Sequence, residues 1–195
     1  MTLFNNKYRI ESARLKGYDY SSPGEYFVTI CAGGMVECFG DVVDGEMKRN
    51  GVGEIVAEEW QRTQELRKKI MLDEWVIMPN HFHCIVCIVE KSSVETSESR
   101  VLVETHSNAS LQSKNIFGPQ RNNLSSIIRG FKSITTKRIH TNGYSDFAWQ
   151  PRFYDHIIRD EKGLNAIREY IHNNPAQWEY DRNDPSGLYN WKSND

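Results

Sequence analysis

The stretch Glu74-Trp75-Val76-Ile77-Met78-Pro79-Asn80-His81-Phe82-His83-Cys84-Ile85-Val86-Cys87-Ile88-Val89 decides the fold. It holds two apolar runs, Glu74 to Ile77 and His81 to Val89, separated by Met78-Pro79-Asn80, a combination that suits a short connection between antiparallel strands. The reading is a hairpin in the middle of a sheet. Side chains alternate faces along a strand, so His81 and His83 point the same way with Cα atoms about 6.5 Å apart. Two imidazoles so placed could converge on one divalent metal, and they equally read as half-buried strand histidines. Cys84 and Cys87 fall on opposite faces of the same strand, which argues against a zinc or redox pair.

Upstream, Ser21-Ser22-Pro23-Gly24 is a turn signal, Glu25 to Ile30 reads as a strand, and Gly33-Gly34 closes it. From Gly53 to Ile70, Ile55, Val56, Trp60, Leu66 and Ile70 recur near helical spacing among charged residues, which predicts an amphipathic helix with a solvated charged face. Downstream, residues 90–118 are rich in Ser, Thr, Glu, Asn and Gln and read as a long loop or mobile insertion. Leu124, Ile127, Ile128, Phe131, Ile134 and Thr135 then form one helical stripe, with Arg129 and Lys132 along its flank. Asp160 offers an N-cap for a last helix bearing Leu164, Ile167, Tyr170 and Ile171, which must end near Asn174 because Pro175 disfavours helical geometry before it. A polar tail, 176–195, follows with Trp178 and Trp191 as possible anchors, and the whole of 1–195 reads as a single domain.

With 195 residues, 38% of them hydrophobic and 26% charged, the composition is that of a globular protein able to bury a core without staples. Four cysteines are too few for a disulfide scaffold, and the N-terminus offers no apolar run for secretion, so a reducing cytoplasm is the expected setting. The longest apolar stretch, Cys84 to Val89, is far shorter than the ~20 residues of a membrane-spanning helix, so no membrane span is expected. The net charge of −2 does not advertise a nucleic-acid binder. Residues 121–140, however, carry Arg121, Arg129, Lys132, Lys137 and Arg138 and no Asp or Glu, so the average hides a basic segment.

Tyr170 and Asn174 are four apart on the last helix and share one side of it, within a turn of each other. An amide carbonyl is a sensible third ligand for a hard cation such as Mg²⁺. The competing reading is a core tyrosine and a polar helix terminator. His172, two residues from Tyr170, points away from it and reads as solvated or structural.

Read together, several separated segments resemble a known family. Met78-Pro79-Asn80-His81-Phe82-His83, then Trp149-Gln150-Pro151-Arg152-Phe153-Tyr154-Asp155-His156-Ile157-Ile158-Arg159-Asp160, then Glu169-Tyr170-Ile171-His172-Asn173-Asn174-Pro175 are similar to motifs of the REP-associated tyrosine transposases, relatives of the single-tyrosine HUH transposases of small insertion sequences. The resemblance extends to Arg14-Leu15-Lys16-Gly17-Tyr18-Asp19-Tyr20 and Ile127-Ile128-Arg129-Gly130-Phe131-Lys132-Ser133 and covers nearly all of the chain except 90–118.

The resemblance implies an α/β (α+β) chain with the HUH endonuclease fold, a ferredoxin-like antiparallel sheet with helices packed on it. It implies that His81 and His83 bind a divalent metal ion, Mg²⁺ or Mn²⁺, that Asn174 completes the coordination, and that Tyr170 is the nucleophile. A phenol with an ordinary pKa near 10 is a weak nucleophile and needs such help. The implied reaction is cleavage and rejoining of single-stranded DNA at hairpins through a 5′-phosphotyrosine. For DNA contacts, Arg9, Arg14 and Lys16 in the N-terminal arm and Arg129 and Lys132 on the basic helix are the expected phosphate partners. His156 is a possible support for the metal site from behind. Two other readings are a catalytically silent hairpin-DNA binding module and a His-x-His metal hydrolase that uses water. The intact His81, His83, Tyr170 and Asn174 set argues against the first, and the absence of Asp or Glu within the His-x-His strand argues against the second. Monomer and homodimer both fit the sequence.

Overall fold

The computed structural model describes residues 14–15, 17–89 and 123–179, and the backbone of 3–4, 7–8 and 180–181. The arms carrying Arg9 and Lys16, the 90–118 segment and Trp191 lie outside the described residues. Two short strands, β1 (Leu3–Phe4) and β2 (Lys7–Tyr8), pair at the N-terminus. The main sheet has four strands, β3 (Gly24–Cys31), β6 (Ile70–Ile77), β7 (His81–Ile88) and β8 (Tyr154–Ile158), in the order β6-β7-β3-β8 and antiparallel throughout.

Helices α1 (Gly51–Leu66) and α2 (Leu124–Thr141) connect these strands in the sequence β-α-β-β-α-β, the ferredoxin-like arrangement. They pack together on one face over the larger core, in which Trp60, Phe82 and Phe131 meet edge to face or tilted with ring centroids 5.0 to 5.8 Å apart. Helix α3 (Glu161–Asn173) lies on the opposite face, where Leu164, Ile167 and Ile171 meet Phe27, Ile85 and Ile158. The expected sheet-and-helix fold is therefore present. The predicted hairpin is β6–β7, but only β7 is interior, because β6 forms an edge.

Several boundaries differ from expectation. Helix α1 begins earlier, capped by Asn50, whose side chain accepts from the amides of Val52 and Gly53. It ends at Leu66, and Ile70 opens β6 instead. Its charged face is not merely solvated: Glu59 is buried and bonds Arg62 and Arg138, while Glu58 also holds Arg138. In α2 the buried stripe is Leu124, Ile127, Ile128, Phe131 and Thr135, whereas Ile134 is exposed. A hairpin of β4 (Gly40–Val43) and β5 (Glu46–Arg49), absent from the sequence reading, turns at Asp44-Gly45 with both residues at positive φ. Asp160 caps α3 as expected, accepting from the Gly163 amide at 2.7 Å, and the helix stops before Pro175. No described helix is long and apolar enough to cross a membrane.

Candidate active site

The fold brings His81, His83, Tyr170 and Asn174 together. The two imidazoles lie on the α3 face of the interior strand β7, their ring centroids 4.4 Å apart, and both are fully buried. Cross-strand register supplies their surroundings. His83 pairs with Thr29 on β3, which pairs with Tyr154 on β8, and His81 pairs with Cys31. His83 Nδ1 lies 2.9 Å from Thr29 Oγ1, and the ring stacks on Phe27 with centroids 5.4 Å apart.

The hydrogen bonds define the protonation of His81. Its Nδ1 sits 2.7 Å from Asn80 Oδ1, an oxygen that only accepts, so Nδ1 carries the hydrogen and Nε2 presents its lone pair. His81 Nε2 is buried with no hydrogen-bond partner. Burial drives the His81 pKa down to about 3, opposed by Asn174, which is near enough to favour the charged ring. His83 is held well below the ordinary histidine value by burial and then by the neighbouring His81. Both rings are neutral at neutral pH, the form in which imidazole binds a metal.

Tyr170 and Asn174 arrive on α3, which follows β8 after only Arg159 and Asp160. Asn174 Nδ2 donates to the Tyr170 phenol oxygen, and that oxygen lies 3.4 Å from His83 Nε2. The Tyr170 ring stands edge-on to His83 and to Phe27, at 5.5 and 6.3 Å. Tyr170 therefore meets a histidine of its own chain. Beyond Asn174 a 3-10 turn, Pro175–Gln177, carries the chain to Trp178, which is buried with its ring centroid 6.0 Å from that of His81. The Gly45 turn of the β4–β5 hairpin abuts Ala176 of this segment.

The donor set fits a divalent ion. His81 Nε2 is an orphaned lone pair, its other nitrogen is oriented by Asn80 in the manner of metal-bound histidines, and the Asn174 side chain lies close enough to His81 to shift its pKa. Among the described residues no group of three or more His, Cys, Asp or Glu forms a metal cluster.

The other expected residues fall elsewhere. His156 is on β8 opposite Phe27, one side chain removed from His83, and is half-buried. His172 is exposed. Arg14 is engaged within the chain, paired with Asp155 at 3.3 Å, bonded to Ser125 and set over the rings of Tyr20 and Phe153. Lys132 is half-buried and donates to the carbonyls of Gln150 and Arg152 at 2.7 and 2.8 Å, and burial lowers its pKa to about 8. Arg129 is exposed. A groove of about 630 Å³ runs between α2 and the 148–151 segment, lined by Lys132, Ser133, Thr136, Lys137, His140 and Trp149. Asn80 and Thr29, which orient the two histidines, were not singled out by sequence reasoning. Asn80 was readable as the residue before the first histidine, while Thr29 becomes a partner only through the register of strands 54 positions apart.

No protein-family model matches the chain. It is 37% identical to an uncharacterized protein of Haemophilus influenzae over 174 residues, 88% of this chain and 91% of that protein. It is 24% identical to the REP-associated tyrosine transposase of Escherichia coli over 135 residues, 66% of this chain and 62% of that one, so the match spans less than two thirds of that relative. Among solved structures, that of a REP-associated tyrosine transposase bound to a REP hairpin shares the fold, with a TM-score of 0.52 and 18% identity over 86% of this chain and 74% of that one. The chain belongs to one family with the Haemophilus influenzae protein, and it is a relative of the REP-associated tyrosine transposases.

Proposed function

We propose that this protein is a transposase-like, metal-dependent endonuclease and strand transferase that acts on single-stranded DNA hairpins through a 5′-phosphotyrosine. The observation that carries the reading is the placement of the Tyr170 phenol 3.4 Å from His83 Nε2, beside a second imidazole whose Nε2 lone pair is directed into the same buried site. The name of the Escherichia coli relative, and the hairpin bound in the solved structure of such a transposase, support DNA as the partner.

In this reading His81, His83 and Asn174 hold Mg²⁺ or Mn²⁺, which when bound supplies Lewis-acid stabilisation of charge on the scissile phosphate. Asn80 and Thr29 orient the imidazoles, and Asn174 Nδ2 orients the phenol oxygen for attack. Tyr170 Oη forms the new bond to phosphorus as the bond to the 3′ oxygen breaks. The phenolic proton is balanced by the proton gained at the released 3′-OH. Phosphodiester energy is kept in the phosphotyrosine, so a second 3′-OH can reverse the step and join new ends.

The exposed Arg129 and the groove bearing Lys137 are the better phosphate contacts on α2, since Lys132 serves two backbone carbonyls. The test uses hairpins labelled on either side of the cleavage point and incubated with Mn²⁺. The denaturation-resistant protein adduct is expected to retain label placed 3′ of the break and to lose label placed 5′ of it. The opposite polarity, or cleaved ends without an adduct, excludes the proposal.

A further inference from the structure

Tyr170 is useful only if α3 is held at one place on the sheet, and apolar packing alone does not hold it there. Leu164, Ile167 and Ile171 bury one side of the helix against Phe27, Ile85 and Ile158, but such contacts are non-directional and tolerate small rotations and slides. A directional contact does exist. Arg168, two residues before Tyr170, makes a two-pronged bond to Asp73, with Nε 2.8 Å from Oδ1 and Nη2 2.5 Å from Oδ2. Its Nη1 also donates to Asn165 one turn earlier, at 3.2 Å, which fixes the guanidinium plane relative to the helix.

Asp73 is itself placed by an irregularity in β6. The pairing of β6 with β7 shifts register between Leu72 and Trp75, and such a bulge re-aims the side chains that it contains. Leu72 and Trp75 both pack on the larger core, while Val76 belongs to the α3 side. The bulge thus keeps the apolar residues inward and leaves Asp73 to reach the helix that carries the tyrosine. A planar guanidinium gripping both carboxylate oxygens fixes orientation in a way a lysine cannot.

We propose that the Asp73–Arg168 pair is a latch that sets the position of Tyr170 relative to His83, which makes Asp73 and Arg168 positioning residues for formation of the phosphotyrosine. This inference rests on the function proposed above. The pair is partly exposed, with side chains 39% and 18% accessible, so solvent screens it and its contribution to stability is small. Misplacement of a reacting group by about 1 Å can nevertheless cost on the order of 100-fold in rate. Rate and stability therefore part company in the latch variants.

The experiment measures three things for wild type, Arg168→Ala, Arg168→Lys, Asp73→Asn and the exchange Asp73→Arg/Arg168→Asp. These are single-turnover adduct formation on a hairpin with Mn²⁺, hairpin affinity, and amide hydrogen exchange of residues 165–174 without DNA. The expected result is adduct formation slower by about 10- to 100-fold in Arg168→Ala, with Arg168→Lys intermediate and partial recovery in the exchange. Hairpin affinity stays within about twofold, and helix amides exchange faster in every broken-latch variant. Adduct formation within about twofold of wild type in Arg168→Ala overturns the latch, as does a loss of rate and affinity together that the exchange does not recover. If wild type forms no adduct, the proposed function fails, and exchange rates in Arg168→Ala still decide whether α3 is held by this pair.

Discussion

Asn80 illustrates how a single side chain prepares the site. By accepting from His81 Nδ1 it leaves the buried Nε2 to present its lone pair. Asn80→Ala is accordingly expected to weaken Mn²⁺ binding by about 10- to 100-fold, measured by titration calorimetry, with little change in the fold. Acid sensitivity is a second consequence. Both imidazoles have folded-state pKa values below the ordinary value near 6.5, so below that pH the unfolded chain binds protons that the folded chain refuses. Stability therefore falls as pH drops from about 6.5 towards the folded value of about 3 for His81, by up to about 1.4 kcal/mol per pH unit for each ring. Urea midpoints in metal-free buffer between pH 7 and 4.5 are expected to fall more steeply for wild type than for His83→Gln. Strand alternation and helical spacing put His81 with His83, and Tyr170 with Asn174, on shared faces, while the expectation that the two pairs form one site came from the family resemblance. Their orienting partners were less legible, because Thr29 meets His83 only across a ladder.

At the scale of elements, close approach governs what the helices tolerate. Helix α1 enters beside the chain at Phe39, and a Cβ on Gly53 stands 2.2 Å from the Phe39 carbonyl oxygen and 3.1 Å from Arg49 Cβ. Helix propensity favours Gly53→Ala by about 1 kcal/mol, but the backbone oxygen cannot yield without losing its bond from the Asn50 amide. Gly53→Ala is therefore expected to destabilise, by about 1 to 3 kcal/mol in urea unfolding, reversing the sign that propensity alone gives. The long elements β3, β7, α2 and α3 were readable from their periods and caps. Strands β4 and β5 are four residues each, too short for alternation to stand out, although Asp44-Gly45 is a strong hairpin-turn signal. Strand β8 has apolar residues only at its end, and its membership of the sheet depends on pairing with β3, more than 120 positions upstream. The early end of α1 follows from Ile70, whose apolar character serves a strand as readily as a helix.

For the molecule as a whole, charge and connectivity decide how the site is assembled. The net charge of −2 conceals a division of labour in which Glu58 and Glu59 on α1 absorb Arg138, leaving Arg129 and Lys137 on the outer side of α2. The two-residue link between β8 and α3 sets Tyr170 beside the His83 of its own chain, so the proposed reaction runs with both from one chain. Mixing Tyr170→Phe with His81→Gln is therefore expected to give no more adduct than either alone, whereas a tyrosine acting on a partner's histidines predicts recovery. The central claim concerns the nucleophile, and one comparison tests it most directly. Wild type and Tyr170→Phe are incubated with end-labelled single-stranded hairpins from the flanks of the protein's own gene, with Mg²⁺ or Mn²⁺, and resolved under denaturing conditions. The account predicts a metal-dependent protein–DNA adduct in wild type that is absent from Tyr170→Phe while hairpin binding persists in both. An adduct that survives in Tyr170→Phe, or cleavage that proceeds equally in both proteins without one, would contradict it.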